Sequence, residues 1–249
     1  IEYLCLPRSG ILLLSPRWNY WPTSRSDLAM TNRQLELSEN LKVIRGEIPP
    51  DIHLIVVTKT FPTSDVEILY RLGEREFGEN RDEEGSEKSA KLPEDVIWHF
   101  QGRVQSKKIK SLVSWSDYIH SLDNLDHAKK IHEAALNFKK RQNVFLQINL
   151  DATNRSENRS GIENEQFSET VTALLELSGI QLVGLMGIAP LAGDPRPGFE
   201  LLAKLSSKLQ DLAPEARFIS AGMSGDYRIA LEYGATHLRI GSSILGPEL

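Results

Sequence analysis

Cysteine is almost missing from this chain: among its 249 residues the single thiol is Cys5. One thiol excludes an intramolecular disulfide and a cysteine-based zinc site, and it suits a reducing cytoplasm. Long hydrophobic runs are missing at the amino end too. The apolar stretch there, Ile11 to Leu14, is far too short to span a bilayer and short for a signal-peptide core. Positive charge is not in excess either. A net charge of -5 excludes a general attraction to nucleic acid or to an acidic membrane. No metal site is assigned from the sequence. What remains, 25% charged and 40% hydrophobic residues, is ordinary for a soluble globular enzyme.

Residues 1–29 read differently from the rest, with Pro7, Pro16, Pro22, Trp18 and Trp21 scattered through them. Met30, followed by Thr31 and Asn32, opens an amphipathic helix. Residues 1–29 are therefore expected to lie before the natural start or to be a peripheral extension, and 30–249 to form one domain. From there the pattern alternates. Strands are expected over 53–59, 75–77, 96–100, 118–121, 143–150, 182–186, 217–220 and 237–240, with a turn at Gly78-Glu79-Asn80. Helices are expected over 32–45, 63–72, an acidic stretch ending near 92, 104–115, 124–140, 163–177, 199–212 and 226–233. A polar loop occupies 151–160 and a Pro-Gly-rich loop 190–198. Eight strand-then-helix units in about 220 residues fit a single α/β (β/α)8 barrel, the TIM-barrel architecture. An open doubly wound sheet is the alternative. A second domain has no room.

The first strongly apolar run, His53-Leu54-Ile55-Val56-Val57-Thr58-Lys59-Thr60, reads as a strand covered on both faces. It ends in a cation. Two readings compete for Lys59. In one, the amine sits dry and uncharged and attacks carbonyl carbon to form an imine. In the other it caps the strand and pairs with a carboxylate.

Barrels of this kind bind ligands at the carboxyl ends of their strands. Those ends carry Lys59, Asn80, His99, Ser121, Asn149, Met186, Ser220 to Ser224 and Arg239 to Ser242. Ala221-Gly222-Met223-Ser224-Gly225 and Gly241-Ser242-Ser243 follow the last two strands. Glycine permits close backbone approach, and loops in these two positions recurrently hold phosphate. They equally well only turn the chain. Alternation in Leu238-Arg239-Ile240 points Arg239 opposite its apolar neighbours, toward a ligand or into an internal salt bridge. His99 reads more readily as a core histidine, and Asn80 and Asn149 as turn residues. The acidic run 82–87 and the basic run 107–110 read as solvated helix faces.

Taken together these residues resemble a known family. Val56-Val57-Thr58-Lys59-Thr60, Phe77-Gly78-Glu79-Asn80, Trp98-His99-Phe100-Gln101-Gly102 with Gln105 and Lys107, Gly184-Leu185-Met186-Gly187, Gly222-Met223-Ser224 with Asp226, and Arg239-Ile240-Gly241-Ser242 are similar to motifs of the pyridoxal phosphate homeostasis proteins. That family has the alanine-racemase-like amino-terminal barrel, the type III fold of pyridoxal-phosphate proteins, without the racemase's carboxyl-terminal β domain. The resemblance implies that Lys59 holds pyridoxal 5'-phosphate as a Schiff base. It implies that Met223 and Ser224, with Gly241 and Ser242, bind the phosphate and that Arg239 faces the pyridine nitrogen. Asn80, His99, Asn149 and Met186 would surround the ring. Two positions depart from the family pattern. Arg159 stands before Ser160-Gly161 where lysine is usual, and Arg81 where tyrosine is frequent.

An arginine against the pyridine nitrogen makes the ring a poor electron sink. A racemase also needs acid/base groups on both faces of the substrate carbon, and in the racemases the opposing tyrosine comes from the missing domain. The expectation is a carrier or regulator of pyridoxal phosphate in vitamin B6 homeostasis, without catalytic residues of its own. It would pass the cofactor to apo-enzymes, act as a monomer in the cytoplasm and bind neither nucleic acid nor membrane. The alternative is an amino-acid racemase or another type III enzyme. A Schiff-base aldolase or phosphate-sugar isomerase on the same barrel is a third class.

Overall fold

A computed structural model describes residues 30–150, 161–190 and 193–248 of the chain. The expected extension 1–29, the loop 151–160 and Arg159 lie outside the described residues.

Eight parallel strands close into a barrel in chain order. They are β1 (His53–Val57), β2 (Glu76–Glu79), β3 (Ile97–Phe100), β4 (Tyr118–Leu122), β5 (Gln142–Ile148), β6 (Ile180–Gly187), β7 (Phe218–Ser220) and β8 (His237–Ile240). Pairing of β1 with β8 shuts the barrel, with His53 opposite His237 and Ile55 opposite Arg239. The open-sheet alternative is thereby excluded. The expected strands hold, with ends shifted by at most two residues. The turn expected at Gly78-Glu79 is a correction: both residues lie inside β2, and Asn80 alone begins the bend.

Around the barrel run α1 (Asn32–Glu47), α2 (Thr63–Arg71), α3 (Asp82–Lys91), α4 (Ile109–Trp115), α5 (Leu125–Asn137), α6 (Phe167–Leu175), α7 (Arg196–Leu212), α8 (Tyr227–Glu232) and α9 (Ser242–Leu245). Their sequences explain their ends. Thr31 and Gln34 form a reciprocal capping box at the start of α1, satisfying two otherwise orphaned backbone donors. Asn124 accepts from the His127 N–H at 2.8 Å to start α5. In α7, Phe199, Leu202, Leu205 and Leu209 are buried on one stripe. The helix starts at Arg196, earlier than expected, and trims the loop predicted over 190–198. The expected helix over 104–115 opens instead as a 3-10 turn, Ser106–Lys108. The short α9 has no counterpart among the expected elements. It lies against α1, where Asn40 and Arg33 donate to the Ile244 and Leu245 carbonyls at 3.0 Å each.

Alternation divides the strand residues between two cores. Leu54, Val56, Phe77, Trp98, Phe100, Val144 and Leu146 join the large core under the helices. Inside the barrel the apolar filling is small: Phe145, Val183 and Met186, with Tyr118, Ile188 and Phe218 packed against them. Much of the remaining interior is polar and buried, including His99, His120, Gln147, Ser220, His237 and Arg239.

Candidate functional site at the barrel mouth

The mouth is built where β7, β8 and β1 end. β1 stops at Val57, so Lys59 falls in a turn two residues past the strand. Its neighbours are fixed. Thr58 donates from Oγ1 to Glu79 Oε1 at 2.5 Å, and its carbonyl accepts from Lys88 Nζ at 2.7 Å. Thr60 takes a left-handed φ of 67°, an uncommon conformation for a β-branched residue. Its N–H donates to Glu84 Oε1 at 2.8 Å. Lys88 binds Glu79 at 2.6 Å and Glu84 at 2.8 Å, so one buried cation ties the Lys59 turn to β2 and α3. Burial pushes the Glu79 carboxyl up, and the Lys88 charge opposes that push.

The Lys59 amine is not dry. It pairs with Glu248 at 2.6 Å, with 33% of the lysine side chain and 52% of the glutamate exposed. This corrects the expectation of an uncharged amine in a closed pocket. Lying beyond the strand end places it past the barrel's packed interior. Exposed pairs of this kind contribute about 0–1 kcal/mol, so Glu248 is a weak and displaceable partner.

Beside Lys59 the two glycine-containing loops meet. Gly222 has φ 92°, and a Cβ there would lie 2.8 Å from the Ala230 Cβ and 2.9 Å from the Tyr227 Cα. Only glycine suits that position. The Met223 N–H donates to Asp226 Oδ1 at 2.6 Å, which explains the aspartate's place in the motif. The Ser243 N–H donates to Ser224 Oγ at 3.3 Å, bridging the loops after β7 and β8. A Cβ on Gly241 would stand 3.2 Å from the Val57 carbonyl. The Gly241-Ser242-Ser243 backbone thus passes close to the end of Lys59's own strand.

Below lies Arg239, 5% exposed. It donates to Ser220 Oγ at 2.7 Å and to the Gly187 carbonyl at 3.0 Å. Among the described residues it has no carboxylate within ion-pair distance. Burial lowers its pKa to about 10, with Asp226 acting the other way, so it stays charged at neutral pH. The internal salt bridge considered for it is not formed among the described residues.

Lys59, Met223, Ser224, Arg239, Gly241 and Ser242 therefore share one sector. The other expected residues are placed elsewhere. Asn80 lines a hollow of about 90 Å³ outside β2 and β3, together with Arg81, Phe100, Arg103, Gln105 and Lys108; Lys59 is not part of it. Asn149 donates to Glu163 at 2.9 Å. Met186 belongs to the internal apolar cluster and is in register with Ser220. His99 is fully buried, stacks on Tyr118 with centroids 4.8 Å apart, and shares a 2.9 Å hydrogen bond with His120.

The residues that sequence reading missed are Glu79, Glu84 and Lys88. The acidic run is not simply a solvated face: Asp82 is buried and accepts from the Trp115 indole at 2.9 Å, while Glu84 holds Lys88 and Thr60. A lysine four residues after Glu84, on a helix that also carries the buried Gly85, was the available signal.

Residues 34–248 match the family model described as "Alanine racemase, N-terminal domain". A pyridoxal phosphate homeostasis protein of Mycobacterium tuberculosis is 33% identical over 249 residues, spanning 88% of this chain and 95% of the relative. One from Synechocystis sp. is 37% identical over 212 residues, spanning 83% and 96%. Among solved structures, PipY of Synechococcus elongatus PCC7942 with PLP bound is 32% identical, with a TM-score of 0.77. That match covers 84% of this chain and 100% of the other.

Proposed function

The chain belongs to the pyridoxal phosphate homeostasis protein family, and from that premise we propose that it binds pyridoxal 5'-phosphate at the barrel mouth and serves as a carrier or regulator of that cofactor. The observation that carries the reading is the convergence of a primary amine, two bridged glycine-containing loops and a buried cation without a carboxylate partner among the described residues. The residues present fit the group. Gly241 leaves the space a Cβ would fill against Val57, and the Thr60 Oγ1 beside Lys59 is buried without a hydrogen-bond partner.

When bound, the cofactor supplies an aldehyde that condenses with an amine, and a ring that can accept electrons. Lys59 is the residue that links to the aldehyde. For this its amine leaves Glu248 and gives up a proton, and the exposure of both groups makes that exchange easy. Ser224 and the Gly241-Ser242 backbone would hold the phosphate by charge-assisted hydrogen bonds, while Met223, whose N–H is taken by Asp226, shapes the loop beside it. Arg239, which keeps its proton, would donate to the ring nitrogen and leave that nitrogen without one. This disfavours carbanion chemistry and favours carriage over racemisation. All these groups come from one chain, so the site needs no second copy.

Cofactor-free protein titrated with pyridoxal phosphate tests the reading. The expected result is a yellow species, one cofactor per chain, that survives gel filtration. A protein that stays colourless contradicts it. Rapid conversion of L-alanine to its mirror image by the loaded protein would replace the carrier reading with a racemase.

A further inference from the structure

The opposite end of the barrel holds a second concentration of chemistry that the cofactor reading does not use. His53 and His237 open β1 and β8, are paired in register, and stack with ring centroids 4.2 Å apart. Glu76 opens β2. Its Oε1 lies 2.7 Å from His53 Nδ1, and its Oε2 lies 3.2 Å from His99 Nε2. That histidine nitrogen is fully buried and has no well-aligned hydrogen-bond partner. Branched apolar side chains are the usual filling of such barrel layers. Imidazoles and a carboxylate in their place carry a desolvation penalty that needs an offset.

Thr236 holds the inner edge of the His237 ring. The Thr236 hydroxyl donates to the Ile219 carbonyl at 3.2 Å and accepts the Ile219 N–H at 2.9 Å. Its remaining contact is 2.8 Å to His237 Nδ1, which the ring donates when the hydroxyl proton stays on the carbonyl. In that tautomer the lone pair of His237 sits on Nε2. Metal-bound histidines are usually oriented in this way, by a hydrogen bond from the other ring nitrogen. The neighbouring cation, Arg45, is taken up by Glu74, with Nε 2.8 Å from Oε1.

We infer that His53, Glu76 and His237 form a binding site for a divalent transition-metal ion of the Zn²⁺ class. One donor atom from each residue lies within 4.8 Å of the other two. Ligand bonds of about 2.0–2.2 Å require these separations to shrink. The stacked rings also have to converge. His53, 42% exposed, is the member free to turn, and its edge opens the site to solvent. The ion replaces the His53–Glu76 hydrogen bond and water completes the shell: a charged His53 releases its Nδ1 proton to solvent, while a neutral one carries its proton on Nε2 instead. His99 continues to hold the second oxygen of Glu76. Two histidines and one carboxylate suit Zn²⁺, Co²⁺ or Fe²⁺ rather than Mg²⁺ or Ca²⁺.

Chelator-stripped, cofactor-free protein titrated calorimetrically with Zn²⁺ tests the site, with the visible spectrum of added Co²⁺ as a second readout. One ion per chain is expected. His53→Ala and Glu76→Gln should each weaken binding about tenfold or more, and affinity should rise from pH 5 to pH 7 as protons are released. His127→Ala, on α5, should bind like the parent. His53 is exposed enough that its removal should leave the fold intact, which circular dichroism checks. No binding by the parent, or binding unchanged in both floor variants, overturns the inference. Because pyridoxal phosphate takes no part, that failure would leave the mouth reading untouched.

Discussion

The mouth and the floor of this barrel solve the burial of charge in opposite ways. At the floor, a carboxylate and three imidazoles answer one another: burial works to raise the Glu76 carboxyl, yet the His53 hydrogen bond and the close approach of His99 hold it well below the usual range. At the mouth, Arg239 is buried with a hydroxyl and a carbonyl as its partners among the described residues, and the Lys59 amine is matched by a side chain half in solvent. The floor's carboxylate already has imidazole partners, one of which an ion would displace. A structure that leaves a cation buried and a lysine loosely held at one end has stability to gain when an anionic aldehyde arrives there.

The largest effect that would sharpen this contrast concerns the pin beneath Lys59. Lys88→Met leaves Glu79 buried without its cation. Removing one partner of a buried pair typically costs about 3–5 kcal/mol, so urea unfolding should show a loss of that size. A loss below about 1 kcal/mol would mean the pin is not holding the turn. Next, Ser224→Ala should weaken retention of pyridoxal phosphate by about 1–2 kcal/mol, as expected for one charge-assisted hydrogen bond. Floor substitutions should leave retention unchanged, and equal losses at both ends would erase the distinction.

The floor and interior predict a pH response. His120 and His237 are held neutral by burial, well below the ordinary 6.5. The unfolded chain then binds more protons than the folded one below about pH 6.5, so their contribution is present above that pH and lost on acidification. His53, raised chiefly by its bond to Glu76, acts in the other direction: its contribution is present below pH 6.5 and lost as pH rises. Two groups against one predict a melting temperature that falls between pH 7 and pH 5. His120→Phe should flatten that slope, and an unchanged slope would break the assignment. The smallest effect belongs to Glu248→Gln. It should change stability by less than about 1 kcal/mol, yet speed cofactor uptake, because Lys59 no longer has a carboxylate to leave. Slower uptake would show that the pair assists binding.

Much of this was legible in the chain and some was not, for physical reasons. Continuous Leu-Ile-Val runs announce strands buried on both faces, so β1 and the barrel could be read directly. Gly78 misled because glycine before Glu-Asn suggests a turn. It lies within a strand, where a Cβ would come 2.7 Å from Gln101 Nε2 and 3.0 Å from the Ile55 side chain. The mouth loops were visible because each is contiguous in sequence. The Lys88 pin was not, since helix periodicity cannot show which charged residue turns inward. The floor cluster was invisible for a further reason: His53, Glu76, His99 and His237 come from four strands, and only closure of the barrel brings them together.

The most direct test of the account is to load the protein with pyridoxal phosphate, reduce it with borohydride and locate the modification by mass spectrometry. The account predicts a single reduced adduct on Lys59, absent from Lys59→Ala. An adduct on another lysine, or none on a protein that retains the cofactor, would contradict it.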